Sequence, residues 1–326
     1  MKEINCIGVL TSGGDAPGMN AAVRAVVRAA LHYNKKVIGI NNGYKGLMEG
    51  DIVPMVHSSV SSIIHKGGTI LKTARCKEFT TPEGVELAAK KAREMGMDAL
   101  VVVGGDGSFR GALDLSKHGF PVIGIPATID NDIPCSDYAL GYDTALNTVC
   151  EAIDKIRDTC ASHDRCNVVE VMGRGAGFLA LHAAVATGAE AYLVPEIEFD
   201  FKDIYKKIKE NISKGKSHFI VVAAEGITKD LGGADAISKR IEENTGVETR
   251  ATVLGYIQRG GNPTVRDRFI ASQMGLKAVE LLLEGQSQRV VVVKEDKIVH
   301  YDIGEALSMK KDFDFESAKL SDYLNY

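Results

Sequence analysis

Residues 121–134 read Pro-Val-Ile-Gly-Ile-Pro-Ala-Thr-Ile-Asp-Asn-Asp-Ile-Pro, and this stretch decides the fold class. The apolar run from Val122 to Ile125 is typical of a buried strand in a mostly parallel sheet. Pro126 then ends the ladder, because proline lacks the amide that a central strand needs. The polar residues from Thr128 to Asp132 follow at the carboxyl end of that strand, where open α/β sheets bind ligands. Taken alone, the segment is better explained as an ordinary turn, since Asp and Asn hydrogen-bond their own backbone.

Length and composition indicate a two-domain globular protein. The chain has 326 residues, more than a single core comfortably serves. Its 45% apolar and 25% charged residues are ordinary for a soluble protein, and its net charge of −4 excludes a strongly basic nucleic-acid binder as the default. The first ten residues lack a signal-peptide pattern, and no apolar run reaches membrane-spanning length. The six cysteines form no CxxC pair, so we expect a cytoplasmic protein without membrane attachment or structural zinc.

A glycine turn near the start predicts a phosphate site. A strand from Ile4 to Leu10 is followed by Thr-Ser-Gly-Gly-Asp-Ala-Pro-Gly, residues 11–18, and then by a helical apolar stripe. In a strand–turn–helix unit, free backbone amides point at an anion, and glycine lets the backbone approach it. The turn matches neither the dinucleotide fingerprint nor the Walker A pattern, so an ordinary βα turn remains an alternative.

A second glycine turn carries a carboxylate. The apolar strand from Asp98 to Val103 runs into Gly-Gly-Asp-Gly-Ser, residues 104–108. Asp106 stands where a magnesium ion bridging two phosphates needs an oxygen ligand, although Asp also caps helices without any ligand. If both glycine turns and the Asp130 loop lie at one edge of one sheet, they supply the groups for phosphoryl transfer: amides for phosphate, a metal carboxylate and a base.

The second half of the chain keeps the same βα rhythm. Strands are predicted at 168–171, 191–194, 219–224 and 249–257, followed by a long helix from Val265 to Leu283 and a closing strand pair. Residues 41–60 are predicted to be irregular. Four arginines (Arg165, Arg174, Arg250 and Arg259) stand at predicted strand ends or in glycine-rich loops, and we expect them on the second side of the site. A guanidinium binds phosphate bidentately, but any single arginine is more often part of a surface ion pair.

Together these motifs resemble the ATP-dependent bacterial 6-phosphofructokinases over nearly the whole chain. The segments that carry the resemblance are LTSGGDAPGMN (10–20), GGTILKTARCKEF (67–79), GGDGS (104–108), TIDND (128–132), GYDTALNT (141–148), EVMGRG (170–175), VPE (194–196) and ETRATVLGYIQRGG (248–261). The resemblance implies two doubly wound, Rossmann-like, three-layer α/β/α domains with a cleft between them. It places ATP binding in residues 1–141 plus about 258–308, and fructose 6-phosphate binding in about 142–257 plus 309–326.

The resemblance also implies the role of each site residue. Transfer of the γ-phosphate of Mg-ATP to the 1-hydroxyl of fructose 6-phosphate would use Asp130 as base, together with Thr128, Asp132 and Arg174, with Asp106 binding Mg²⁺. The expected ATP contacts are Gly14, Arg75, Cys76, Gly105, Asp106, Gly107 and Ser108. The expected sugar contacts are Thr128, Ile129, Asp130, Arg165, Met172, Gly173, Arg174, Glu225, Arg250, Tyr256 and Arg259. The family is homotetrameric, and Arg165 and Arg250 would reach in from a neighbouring subunit.

An allosteric site for ADP, GDP or phosphoenolpyruvate is a further family property. The matching residues are Arg24, Arg28, His57, Arg157, Gly188, Glu190, Lys214, Lys216 and His218. Four features depart from the family pattern: Tyr256 and His57 replace a histidine and an arginine, Ser217 replaces a basic residue of some members, and the loop at 230–235 is longer. Catalysis should survive these changes, whereas the strength and sign of allosteric control stay open.

Three alternatives remain at this level. A nicotinamide-dependent dehydrogenase would share the fold, but the G-x-G-x-x-G spacing is missing after the first strand. A non-catalytic phosphate-binding regulator would have no use for Asp130 beside Asp106. Pyrophosphate-dependent relatives carry Asp and Lys where this chain has Gly107 and Ala127. Because both small residues leave room and add no charge near the α-phosphate of ATP, we expect ATP to be the donor.

Overall fold

The chain forms two compact units. In the computed structural model, which describes residues 3–324, the first unit comprises the chain up to Ile129, Ile133–Thr144 and Arg259–Lys311. The second comprises Asp130–Asp132, Ala145–Gln258 and the chain from Asp312 onward. The chain therefore passes between the units on both sides of Asp130–Asp132, after Thr144, after Gln258 and after Lys311.

Each unit contains its own sheet. The strands of residues 3–324 are β1 (Cys6–Thr11), β2 (Lys36–Ile40), β3 (Ile52–Met55), β4 (Ala99–Gly104), β5 (Val122–Pro126), β6 (Cys166–Val171), β7 (Ala191–Leu193), β8 (Phe219–Ala224), β9 (Thr249–Val253), β10 (Arg289–Lys294) and β11 (Lys297–Asp302). The first sheet has the order β11-β10-β5-β4-β1-β2-β3, and the second has the order β7-β8-β6-β9. All pairs are parallel except β2–β3 and β10–β11, the two ends of the first sheet.

Helices cover both faces of each sheet. The helices of the described residues are α1 (Met19–His32), α2 (Gly43–Glu49), α3 (Pro82–Glu94), α4 (Asp106–Lys117), α5 (Tyr142–His163), α6 (Phe178–Thr187), α7 (Phe201–Ser213), α8 (Glu225–Asp230), α9 (Ala234–Thr245), α10 (Val265–Leu283), α11 (Ile303–Ser308) and α12 (Phe315–Leu324). In the first unit α1 packs against α10, while α2, α3, α4 and α11 contact one another in turn. In the second unit α6 packs with α12, and α7 with α9. These are the doubly wound layers that the sequence predicts.

The apolar pattern explains why these elements pack as they do. The central strands β1, β4 and β5 are buried along their whole length, as expected for parallel strands covered on both faces. Helices α1 and α10 approach closely at Gly275, where an added Cβ would lie 2.4 Å from the Cβ of Ala25. In the second unit, Ile204 and Ile208 of α7 and Ile237 and Ile241 of α9 join one buried cluster. No helix in residues 3–324 combines the length and the apolar character needed to cross a bilayer.

Two segments differ from the prediction. Residues 41–60 contain regular structure. Asn42 and Gly50, which flank α2, both adopt left-handed φ values. β3 is an edge strand and can therefore contain Pro54. The strand predicted at 249–257 ends at Val253, and residues 255–259 form a 3₁₀ turn. Gly255 adopts a φ of +55°, which turns the chain out of the sheet. This second difference places Tyr256 on a turn, where it is 84% exposed.

Candidate active site

The three predicted turns begin at one edge of the first sheet. They follow β1, β4 and β5, which are neighbours in the sheet. The amide of Ser12 donates to the carbonyl of Val103 at 2.9 Å, and the amide of Ala127 donates to that of Gly104 at 2.9 Å. A Cβ on Gly104 would lie 2.5 Å from the carbonyl oxygen of Ser12. Gly104 is therefore required because the turns after β1 and β4 pack backbone to backbone.

Hydrogen bonds between neutral groups attach a fourth segment, residues 66–73, to this edge. Buried Asn20 of α1 donates to the carbonyls of Lys66 and Gly67 and accepts from the amide of Ile70, at 2.8–3.1 Å. Thr73 Oγ1 donates to the carbonyl of Gly13 at 2.7 Å. Asn20 ends the first glycine motif but was not among the predicted site residues. An amide on the buried face of an apolar helix was the available signal.

The helix that starts at Asp106 presents the candidate metal carboxylate. Asp106 is partly buried in the first turn of α4, and its Oδ2 accepts from Nε of Arg110 at 2.9 Å. No group of three or more His, Cys, Asp or Glu side chains in residues 3–324 is arranged to hold a metal ion. A lone carboxylate at a helix N-terminus nevertheless fits magnesium, which takes one or two carboxylates and completes its shell with phosphates and water.

Gly107 is small for a reason other than packing. Its φ is not left-handed, and an added Cβ would meet no atom within 4 Å. Glycine costs a helix about 1 kcal/mol relative to alanine, so the fold alone does not favour it here. Open space above the first turn of α4 is instead suited to a bound phosphate.

The segment expected to contact ATP is anchored through an aromatic pair. Arg75 is exposed, and Cys76 is partly buried with its Sγ 3.6 Å from Sδ of Met48. Phe79 stacks on Tyr44 with ring centroids 3.9 Å apart, and Tyr44 Oη donates to the carbonyl of Ser108 at 2.6 Å. The two expected ATP segments, around 76 and 105–108, therefore share one buried support.

The residues after β5 are buried although they are polar. Asp130 is 6% exposed and Asn131 is 5% exposed, while Thr128 and Asp132 are partly buried. Asn131 adopts a left-handed φ of +51°, which is uncommon outside glycine and concentrates at functional sites. A solvated turn has no need of this burial, so the alternative of an ordinary turn loses support.

In the second unit, polar residues also lie beyond the carboxyl end of a central strand. The segment after β6 contains Gly173, at a φ of +139°, and Arg174, at a left-handed φ of +56°. The amide of Arg174 donates to Oε1 of Glu225 at 2.7 Å, and the amide of Met172 donates to Oε1 of Gln258 at 3.1 Å. Gln258 is fully buried and was not among the predicted site residues. The Arg174 side chain stays exposed at this edge.

Arg165 and Arg250 lie at the opposite edge of the same sheet. Arg165 precedes β6, and Arg250 pairs with Asn167 near the start of that strand. Six residues of β6 at roughly 3.3 Å per residue separate this edge from Arg174 by nearly 20 Å. One phosphate cannot contact Arg174 and these two arginines of the same chain. The expectation of four arginines on one side of a site is wrong for a single subunit.

Glu248 joins these two arginines. Its Oε2 lies 2.9 Å from Nε of Arg165, and its Oε1 lies 2.6 Å from Nη2 of Arg250. The hydrogen bond from Arg165, with that from Arg250, lowers the pKa of Glu248 below its ordinary value. The carboxylate therefore occupies the position of an anion between two guanidinium groups.

Arg259 belongs to the first unit and contacts its first glycine turn. Its Nη1 donates to the carbonyl of Asp15 at 3.2 Å, and a Cβ on Gly14 would lie 2.6 Å from the same nitrogen. The nearby Gly261 carbonyl blocks a Cβ on Gly67 in the same way, at 2.2 Å. The arginine expected to bind the sugar thus touches the turn expected to bind ATP.

The predicted effector residues divide between the units. In the first unit, Arg28 donates through Nη2 to the carbonyl of His57 at 3.0 Å, and its Nη1 lies 3.1 Å from His57 Nδ1. Arg24 lies one helical turn before Arg28, partly buried on α1. In the second unit, buried Glu190 forms an ion pair with Lys216. The others stand near the amino ends of β7 and β8: Arg157, which donates to the carbonyl of Thr187, Gly188, Lys214 and His218.

Comparison with known proteins identifies the family. The family described as Phosphofructokinase matches residues 6–282. "ATP-dependent 6-phosphofructokinase" of Clostridioides difficile (strain 630) is 55% identical over 319 residues, covering 98% of this chain and 99% of the relative. The protein of the same name from Halalkalibacterium halodurans is 54% identical with the same coverage. The crystal structure of Pichia pastoris phosphofructokinase in the T-state superposes with a TM-score of 0.87 at 36% identity, over 100% of this chain and 39% of that one. The chain belongs to the phosphofructokinase family.

Proposed function

We propose that this protein is an ATP-dependent 6-phosphofructokinase. It transfers the γ-phosphoryl group of Mg-ATP to the 1-hydroxyl of fructose 6-phosphate, giving fructose 1,6-bisphosphate and ADP, a step of glycolysis in the cytoplasm. The observation that carries the proposal is the 54–55% identity, over 98% of the chain, with relatives of that name. The geometry supports it, because three turns suited to phosphate converge on one edge of the first sheet.

The side chains divide the chemistry among them. Asp130 accepts the proton of the attacking hydroxyl, and Thr128, Ile129 and Asp132 shape the same turn. Amides of the turns after β1 and β4 bind the phosphates of ATP, helped by Gly14, Arg75, Cys76 and residues 105–108. Asp106 would hold Mg²⁺, which when bound neutralises phosphate charge. The residues proposed to orient the sugar phosphate are Met172, Gly173, Arg174, Glu225, Tyr256 and Arg259.

Gly107 and Ala127 support ATP rather than pyrophosphate as donor. Neither residue adds charge, and the space beside Gly107 is open. The adenosine part of ATP supplies binding energy that pyrophosphate lacks. We expect kcat/KM for pyrophosphate to be at least about 100-fold lower than for ATP, roughly 2.7 kcal/mol of transition-state binding.

The test measures donor use at saturating fructose 6-phosphate. ADP release and fructose 1,6-bisphosphate formation are followed with Mg-ATP, and phosphate release is followed with pyrophosphate. A panel of other sugar phosphates serves as acceptor control. Equal kcat/KM for the two donors would contradict the ATP assignment, and absence of turnover with every donor would leave a phosphate-binding regulator as the better description.

The separation of Arg165 and Arg250 from Arg174 supports a site shared between subunits. Because both lie at the far edge of the second sheet, they serve a sugar phosphate bound by a neighbouring copy. This arrangement needs at least two copies, and we propose the homotetramer.

We further propose an allosteric site for a nucleoside diphosphate or phosphoenolpyruvate. As in the family, it would lie at an interface between neighbouring subunits, and its residues are Arg24, Arg28, His57, Arg157, Gly188, Glu190, Lys214, Lys216 and His218. His57 stands beside Arg28, so exchange for an always-charged residue places two fixed cations together. We expect His57→Arg to tighten ADP binding several-fold, because arginine is always charged and binds phosphate bidentately. Calorimetry of ADP with the wild-type and variant proteins measures this, and an unchanged affinity would remove His57 from the effector contacts.

A further inference from the structure

Asp267 is a buried carboxylate outside every motif given a role above. It lies in the first turn of α10 and has no solvent exposure. Carboxylates are rarely fully buried unless they are paired or hydrogen-bonded, since desolvating the charge is costly. Asp267 has no cationic partner among the ion pairs of the described residues. Its burial therefore depends on the hydrogen bonds that it accepts.

Four donors surround this carboxylate. Oδ1 accepts from Tyr138 Oη at 2.6 Å and from the amide of Gly141 at 2.7 Å. Oδ2 accepts from the amide of Thr144 at 3.1 Å and from its Oγ1 at 2.5 Å. An ionised carboxylate accepts about four hydrogen bonds, so both oxygens are saturated. Burial raises the pKa of Asp267, but the four donors all favour the charged form.

The donors all belong to one segment, residues 138–144. The amide of Leu140 in this segment donates to the carbonyl of Pro126 at 3.0 Å, and Leu140 pairs with Ala127 in an isolated parallel bridge. Ala127 immediately precedes Thr128 at the end of β5. The contacts thus run from Asp267 through residues 138–144 to the backbone from which Thr128 and Asp130 project.

Capping of α10 does not explain these contacts. Thr264 caps the helix with its own Oγ1, which accepts from the amide of Asp267 at 3.3 Å. The amide of Thr264 is bound by Oγ1 of Thr144 at 3.0 Å. The Asp267 side chain instead binds residues more than a hundred positions earlier in the chain. Its hydrogen bonds fix that earlier segment.

We propose that Asp267 is a positioning residue for phosphoryl transfer. It anchors residues 138–144, which in turn hold the end of β5 so that Thr128 and Asp130 are placed for the reaction. The inference rests on the proposed function of those two residues. Because Asp267 contacts no substrate, its loss should lower kcat far more than it changes KM for either substrate.

The test compares Asp267→Asn with Val37→Ala in the full-length protein. In Asp267→Asn an NH₂ group replaces one carboxylate oxygen and cannot accept hydrogen bonds from two of the four donors, so the anchoring of residues 138–144 is lost. Val37 is buried in β2, three strands from β5, and Val37→Ala destabilises the same unit without touching this segment. Hydrogen exchange by mass spectrometry should show faster exchange in peptides covering both 126–132 and 138–146 for Asp267→Asn alone. We expect kcat about 10- to 100-fold below wild type, with both KM values within about threefold.

A milder variant keeps the proposal testable if Asp267→Asn does not fold. Tyr138→Phe removes one donor and keeps the ring that Arg266 covers at 4.9 Å. We expect faster exchange at 126–132 and a kcat loss of about threefold or more at unchanged KM. Unchanged exchange at 126–132, or kcat loss no greater than in Val37→Ala, would overturn the proposal. The exchange measurement needs no substrate, so it fails or succeeds independently of the proposed function.

Discussion

The carboxyl edge of the first unit and the Arg165–Arg250 pair of the second are built from different kinds of groups. At the first edge, backbone amides, glycines and neutral side chains such as Asn20 are held by hydrogen bonds within the unit. At the second, the partly buried Arg165 and the exposed Arg250 share one carboxylate, Glu248. Backbone donors are fixed before any ligand arrives, whereas long cationic side chains can exchange one anion for another. The first arrangement suits chemistry that needs fixed geometry, and the second suits reversible recognition of an anion.

The largest expected effect is on the chemical step. Asp130→Ser removes the proposed base, so kcat should fall by about 10² to 10⁴ while the affinity for fructose 6-phosphate changes far less. Steady-state kinetics and equilibrium binding of the sugar phosphate measure the two quantities. Asp235→Ser is a matched control, because Asp235 is an exposed aspartate in the first turn of α9, outside every proposed site. A kcat within a fewfold of wild type would move the role to Asp132.

The arginines of the second unit should change affinity rather than the chemical step. Arg165→Ser and Arg250→Ser each remove a charged donor, so KM for fructose 6-phosphate should rise by about tenfold or more with a smaller change in kcat. If they serve a neighbouring copy, hybrids of either variant with Asp130→Ser should regain some sites of wild-type affinity. Hybrids that never regain affinity would show that each arginine acts within its own chain.

Two glycines of one turn should respond in opposite ways. Gly104→Ala forces a Cβ against the Ser12 carbonyl and should lower the free energy of unfolding by about 1–3 kcal/mol. The Cβ added by Gly107→Ala has no atom within 4 Å, so this variant should raise the free energy of unfolding by about 0.4–1 kcal/mol. It should also raise KM for ATP, because the methyl group occupies the space proposed for a phosphate. Chemical denaturation and ATP kinetics measure both. A Gly107→Ala protein with normal ATP kinetics would argue against a phosphate in that space.

The smallest expected effect concerns Glu248 and pH. Its pKa is lowered in the folded protein, so its ion pairs stabilise the fold above the unfolded-state pKa of about 4.3 and are lost as the pH falls through the lower folded value. Because the pairs are exposed, Glu248→Gln should change the melting temperature little at pH 7, and the difference should vanish under acid. Thermal melts from pH 7 to pH 3 measure this. A difference that grows with acidity would show that Glu248 stabilises the fold by other means.

The sequence determined the elements and the local motifs. Apolar periodicity predicted α10 with the bounds observed, Val265–Leu283, and the glycine turns predicted the edge where β1, β4 and β5 end. These features follow from short-range rules, because strand, turn and helix patterns repeat over a few residues.

Only the tertiary structure decided which distant residues meet. Nothing in the local sequence around Asp267 indicates that it binds Tyr138, 129 positions earlier, or that Gln258 supports Met172. The strand register likewise decided that Arg250 lies at the opposite edge from Arg174, because both positions satisfy the same "strand end" pattern in sequence. The direction of a strand in the sheet decides at which edge its first and last residues lie. Crossover connections fix that direction, and residues near the site do not.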